Sequence, residues 1–193
     1  YNVTVLEGVT GSGKTLVYFE RVMDIVNKGF QALILLPEIA LTNQFGKRFR
    51  DFFGAEPAVW HSATTKKNKS IIWKGVTEGK IKIVIGARSS LFLPFKNLGI
   101  IVVDEEHDTS YKQDEGVSYN ARDMAIARAH IENIPINLIT SIPSVETYNN
   151  IVNHKYYVTR LSERYKQSAL PNIEIINLHS EILKKGSWIA NKT

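Results

Sequence analysis

Eight consecutive residues, Gly8-Val9-Thr10-Gly11-Ser12-Gly13-Lys14-Thr15, constrain this chain more than any other stretch. They match G-x-x-x-x-G-K-[ST] at every specified position, the pattern of a loop that wraps an anion in backbone N–H groups. Glycine is required where the backbone turns inward, because a Cβ would obstruct the turn. Lys14 then reaches the outer phosphates, and the Thr15 hydroxyl is placed to ligate Mg²⁺. A helix starting at Lys14 adds its positive end to the same site. The flanks agree with this. Val3, Val5 and Leu6 read as a strand before the loop, while Leu16, Phe19, Met23 and Val26 recur at helical spacing after it. Gly29 stands where the residue after a helix C-cap belongs.

The rest of the chain repeats this alternation. Ala32 to Leu36 is a continuous apolar run, as expected of a parallel strand covered on both faces. A helix is expected after Pro37-Glu38 through Leu41, Phe45, Phe49 and Phe52. Ala58 to Trp60 reads as a short strand, and the basic stretch Thr64 to Gly79 as a helix with Ile71, Ile72 and Val76 inward. Further strands are expected at Ile81 to Ile85, Ile100 to Val103 and Ile136 to Ile139. A polar loop runs to about Ser118. Asn120 is placed to cap a helix through Met124, Ile126 and Ala129, and Pro143 to Ile151 forms a shorter one. Strands and helices in this order predict a parallel sheet with helices on both faces and a ligand at the carboxyl ends of the strands. Beyond Asn153 the pattern weakens: Tyr156 to Leu161 and Ile173 to Leu178 read as strands with no evident core of their own.

Composition narrows the classes. Cysteine is absent, which excludes disulfides and thiolate zinc sites among these 193 residues. No apolar run approaches the roughly 20 residues of a membrane span. A net charge of +5 permits an anionic partner.

The second chemical constellation lies at Asp104-Glu105-Glu106-His107, directly after the apolar run Ile100 to Val103. Four β-formers put Asp104 at the lip of the sheet, where a carboxylate holds the Mg²⁺ bound to phosphates. Glu105 is then placed to orient or deprotonate an attacking water. Arg88, after a strand end, offers a forked donor to a backbone phosphate. Tyr111, Lys112, Tyr119 and Arg122 interleave aromatic faces with cations, as sequence-tolerant stacking on single strands requires.

Taken with the phosphate loop, Asp104-Glu105-Glu106-His107 resembles motif II of superfamily 2 helicases, D-E-x-H. Pro37-Glu38-Ile39, Leu41-Thr42, His61-Ser62, Gly86-Ala87-Arg88-Ser89 and Tyr111-Lys112-Gln113 narrow the likeness to the bacterial primosomal replication-restart helicases. The resemblance implies a RecA-like P-loop domain over residues 1–152, with 153–193 an appendage or linker toward a second motor domain. The chain opens inside a central strand, as an excised piece would. The resemblance further implies ATP and Mg²⁺ as cofactors, bound by residues 8–15 with Asp104 and Glu105, and His107 as the link to the DNA-binding segments. Pro37, Thr42, Arg88 and Ser89 would track a DNA strand, and the loop carrying Tyr111, Lys112, Tyr119 and Arg122 would report DNA to the ATPase. Single-stranded or forked DNA, other primosome proteins and single-strand-binding proteins are the implied partners, with no membrane and a cytoplasmic location. The family's zinc-binding cysteines and arginine finger lie outside these residues. One departure stands out: Thr140-Ser141-Ile142 occupies the place of Ser-Ala-Thr in motif III. Two other classes use the same Lys14 and Asp104, a small-molecule phosphotransferase and a nucleotide-binding scaffold without motor activity.

Overall fold

The computed structural model describes residues 1–37, 40, 42–114 and 116–164. The strand expected at Ile173 to Leu178 and the remainder of the appendage lie outside these residues, as do Glu38, Ile39 and Leu41. Seven strands form one sheet: β1 (Asn2–Gly8), β2 (Gln31–Leu35), β3 (Ala58–Trp60), β4 (Ile83–Gly86), β5 (Leu98–Val103), β8 (Pro135–Thr140) and β9 (Tyr157–Leu161), in the order β3-β4-β2-β5-β8-β1-β9. Every pairing in it is parallel. A two-stranded antiparallel ribbon, β6 (Lys112–Gln113) with β7 (Tyr119–Asn120), stands apart from it.

Alternate residues of the central strands feed two cores. Leu33 and Leu35 of β2 with Ile101 and Val103 of β5 face one side, where α3 (Lys66–Thr77) and α4 (Ala121–Ile131) bring Ile72, Val76, Ala121, Ala125 and Ala129. Ala32, Ile34, Ile100 and Val102 face the other, covered by α1 (Lys14–Asn27) and α2 (Asn43–Phe53). There Phe19 is fully buried and meets Phe45, Phe49, Phe52 and Phe53 at ring-centroid distances of 5.8, 5.8, 5.3 and 5.0 Å. Such pairs add about 0.5–1.5 kcal/mol each beyond the area they bury. α5 (Val145–Val152) closes the described helices, capped by the Ser144 hydroxyl accepting from Thr147 N.

Three expectations are corrected. Tyr157–Leu161 is not outside the domain, because β9 pairs with β1 over five residues and extends the sheet past residue 152. α2 starts only after Thr42, whose hydroxyl caps it by accepting from Phe45 N. The inward faces of three helices also shift: Leu16, Ile71 and Met124 are 44, 57 and 41 % exposed. Leu16 turns toward the cleft described below, and on α4 the small residues Ala121, Ala125 and Ala129 take the inner face. Parallel pairing sets the carboxyl ends of β1, β2, β4, β5 and β8 along one edge, and Gly8, Gly86, Asp104 and Thr140 meet there.

Candidate functional site

The phosphate loop leaves β1 at Gly8 and enters α1 at Gly13. Gly11 and Gly13 hold φ values of 84° and 90°, which L side chains rarely adopt. Gly13 caps α1 without a side-chain bond, and Leu16 N donates to Gly13 O at 2.9 Å, which leaves the Lys14 and Thr15 N–H groups at the helix start for an anion. Lys14 is only 9 % exposed and folds back, Nζ donating to Gly8 O at 2.7 Å and Val9 O at 3.4 Å. Ser12 Oγ is buried and, among the described residues, lacks a hydrogen-bond partner. A buried hydroxyl without a partner is costly unless a ligand supplies one. The donor set therefore fits a polyphosphate. Thr10 to Leu16, Arg48, Asp104 and Glu105 line a cleft of about 500 Å³. Gly8 and Val9 stay behind it and supply carbonyls to Lys14. Arg48, exposed on α2, is a cation of this cleft that no motif announced.

Asp104 follows β5, its N–H donating to Leu35 O at 3.0 Å. Its Oδ2 accepts from Tyr18 OH at 3.0 Å and its Oδ1 from Glu105 N at 3.0 Å. Burial is the largest influence on its carboxyl and outweighs these bonds, raising its pKa from 3.8 to about 6. A divalent cation would restore the ionised form, so Asp104, with Thr15 lining the same cleft, is a candidate to hold Mg²⁺. Glu105 adopts φ 48°, a left-handed conformation costly for a residue with a side chain. Its half-exposed side chain lines the cleft, with Oε2 3.9 Å from His107 Nε2.

Behind this edge sits a network built on Glu106, the unspecified residue of D-E-x-H. Its side chain is 0 % exposed. It accepts from Ser144 N at 2.7 Å, Ser144 Oγ at 3.0 Å, Thr147 Oγ1 at 2.9 Å and Arg122 Nη1 at 3.2 Å. His107 Nδ1 meets Thr140 Oγ1 at 2.8 Å. The Thr140 proton goes to Ile142 O at 2.7 Å, which leaves the imidazole as donor. The first residue of the altered triplet thus carries the link between the two strand ends. Ile142 takes part only through its backbone, its N–H donating to Thr140 Oγ1 at 3.2 Å, while its side chain is 74 % exposed.

The aromatic and cationic loop divides in two. Tyr111 is 1 % exposed, its hydroxyl donating to Leu35 O at 3.1 Å and Asp104 O at 2.6 Å. It pins the ends of β2 and β5 together and offers no face to a base. Arg122 is 5 % exposed and pairs with Glu106, with Asp123 at 2.8 Å and with Glu146 at 3.6 Å. Its fork is already taken by carboxylates, so the expected contact with nucleic acid is corrected for both residues. Lys112 is exposed beside Asp114 at 3.1 Å, and half-buried Tyr119 packs edge-on against Phe92 at 5.6 Å. Arg88 Nη1 donates to Lys112 O at 2.6 Å and ties the loop to the end of β4. Ser89 and Thr42 are exposed, while Pro37 is buried.

A parallel sheet with the phosphate loop after β1 and the Asp104-Glu105 pair after β5 is a RecA-like arrangement, and solved helicases share it. The backbone matches RecG bound to a three-way DNA junction with a TM-score of 0.59 and 24% identity, over 82% of this chain and 20% of that one. It matches the Pyrococcus furiosus Hef helicase domain with a TM-score of 0.61 and 20% identity, over 86% and 36%. At these identities the likeness is one of fold. The chain belongs to the DEAD/DEAH box helicase family, which it matches over residues 2–141. Its sequence is similar to replication restart protein PriA of Rickettsia conorii, 54% identical over 187 residues, 97% of this chain and 29% of that protein. PriA of Haemophilus influenzae is 42% identical over 186 residues, covering 96% and 26%. PriA of Bacillus subtilis is 37% identical over 182 residues, covering 94% and 23%. The chain spans less than a third of the length of these relatives. No helix among the described residues is long and apolar enough to cross a membrane.

Proposed function

We propose that this chain is the nucleotide-binding motor lobe of an ATP-dependent DNA helicase that acts in replication restart. The observation that carries the reading is the single cleft lined by Lys14, Thr15, Asp104 and Glu105. In it, loop N–H groups and the Ser12 hydroxyl bind phosphate oxygens, and Lys14 exchanges the Gly8 and Val9 carbonyls for the outer phosphates. Thr15 and Asp104 would hold Mg²⁺, which would supply neutralisation of the charge that builds on the phosphates during transfer. Glu105 orients the attacking water and accepts its proton. The His107–Thr140 bond joins this chemistry to the end of β8. DNA, single-stranded or forked, would cross the carboxyl edge at Thr42, Arg88, Ser89 and Lys112. Primosome and single-strand-binding proteins are the expected partners of the whole machine.

An arginine finger from a second lobe would supply about 10³–10⁵ in rate, so these residues alone should bind nucleotide and turn it over slowly. The test is ATP hydrolysis by the full-length protein, second lobe included, with and without single-stranded DNA. Strong stimulation is expected; turnover indifferent to DNA would return the assignment to a small-molecule phosphotransferase.

A further inference from the structure

Outside the cleft, the outer edge of the sheet carries an aromatic and cationic surface that none of the roles above uses. Trp60 ends β3 opposite Gly86 of β4, so it stands at the same carboxyl edge as Arg88 and Ser89. Its indole Nε1 donates to Ser89 Oγ at 3.1 Å, which fixes the ring. Trp73 of α3 lies 6.4 Å from it, ring centre to ring centre, tilted by 42°, and is 49 % exposed. Lys69 Nζ sits 5.7 Å from the Trp60 ring centroid.

The charge of α3 is oriented against helix physics. Lys66 and Lys67 occupy its first turn, which holds no acidic residue, where the positive end of the helix disfavours cations. Among the described residues neither lysine has an ion-pair partner. Lysines kept at an unfavourable position on the helix that carries half-exposed Trp73, whose Lys69 lies over the Trp60 ring fixed by Ser89, have the chemistry of a strand-tracking surface. Cations neutralise phosphates while an aromatic face stacks on a base.

We propose that Trp73, Trp60, Lys66, Lys67 and Lys69 form a second binding surface for single-stranded DNA, continuing outward the path at Arg88 and Ser89. The proposal rests on the helicase reading for that path, and the platform itself stands on α3 and β3. A strand leaving Ser89 passes the edge of Trp60, stacks a base on Trp73 and lays its phosphates along the first turn of α3.

The experiment measures binding of a fluorescein-labelled oligo-dT by the full chain across a salt series, with Trp73→Ala, the pair Lys66→Glu/Lys67→Glu, and Arg88→Glu as path control. Trp73→Ala should weaken binding about tenfold with the salt slope unchanged. The lysine pair should lower the slope of log K against log salt by about 1.4, two phosphate contacts at roughly 0.7 each. The same pair should raise the melting temperature slightly, since glutamates suit the first turn of α3; this separates lost binding from misfolding. Unchanged affinity and slope in both folded variants, with Arg88→Glu impaired, would overturn the platform and leave the path. No effect in any of the three would overturn the DNA path itself. Equal loss against blunt duplex or poly-glutamate would overturn single-strand stacking in favour of a general anion site, or of an acidic protein partner.

Discussion

Replacing Arg122 by methionine keeps much of the side chain's volume and removes the only cation within bonding distance of Glu106 that the structure provides among the described residues. The Glu106 carboxylate, 0 % exposed, would then rest on Ser144 N, Ser144 Oγ and Thr147 Oγ1 alone. Breaking a buried pair by deleting one partner costs about 3–5 kcal/mol. Three remaining neutral donors place the expected loss near about 3 kcal/mol, since each net hydrogen bond contributes about 1 kcal/mol. For a domain of this size about 1 kcal/mol corresponds to about 2–4 °C, so the melting temperature should fall by roughly 6–12 °C. Adding Glu106→Gln removes the stranded charge, and the double variant should recover about 1–3 kcal/mol relative to the sum of the singles. Urea melts on the four proteins give the cycle. A loss below about 1 kcal/mol for Arg122→Met, or strict additivity, would refute the network. A DNA contact at Arg122 would have given the opposite result: unchanged stability with impaired binding.

Three further outcomes follow from the same geometry. Asp104→Asn should stabilise the fold at neutral pH. Because the folded carboxyl titrates at about 6 and not 3.8, its cost is absent below about pH 4, grows as pH rises and is complete above about pH 6. The full displacement corresponds to about 3 kcal/mol, an upper bound because solvent reaches part of the group; melts of both proteins from pH 4 to 8 should therefore diverge upward, while Mg²⁺-dependent nucleotide binding is lost in the variant. Arg48→Ala should weaken mant-ADP binding about tenfold or more, since a hydrogen bond to a charged group contributes about 1.5–3 kcal/mol, and Arg48→Lys should restore part of it; unchanged titrations would remove Arg48 from the site. Tyr111→Phe should lower stability by about 1–2 kcal/mol by removing the hydroxyl's bonds to Leu35 O, which keeps the one from Asp104 N, and to Asp104 O, with affinity for oligo-dT intact, whereas weaker binding at an unchanged melting temperature would restore the stacking role.

Much of this molecule was legible in its sequence where one residue type has only one use. Gly11 and Gly13 declare a left-handed turn, the run Ile100 to Val103 declares a strand covered on both faces, and Asp104 must then emerge at its end. Asn120 declares a helix start. Tyr111 and Arg122 were misread because an aromatic residue near a cation suits a binding loop and a packed corner equally. What decides between them is Glu106, a position the motif leaves open, and contacts from Ser144 and Thr147 some 40 residues away in sequence. Arg48 stayed hidden because it lies on the polar side of a helix whose visible signal is the stripe Phe45, Phe49 and Phe52. β9 was assigned to an appendage because an edge strand buried on neither face lacks the apolar run that marked β2 and β5.

The central claim is that the residue 8–15 loop and Asp104 together bind a Mg²⁺-nucleotide at the carboxyl edge of the sheet. Titration calorimetry of ADP with Mg²⁺ into the native protein and into Lys14→Ala tests it most directly. Lys14 would supply phosphate contacts, and in the structure its Nζ donates only to two backbone carbonyls behind the cleft, so the variant should stay folded and lose tight binding. A folded Lys14→Ala protein that binds Mg²⁺-ADP as tightly as the native chain would contradict the assignment.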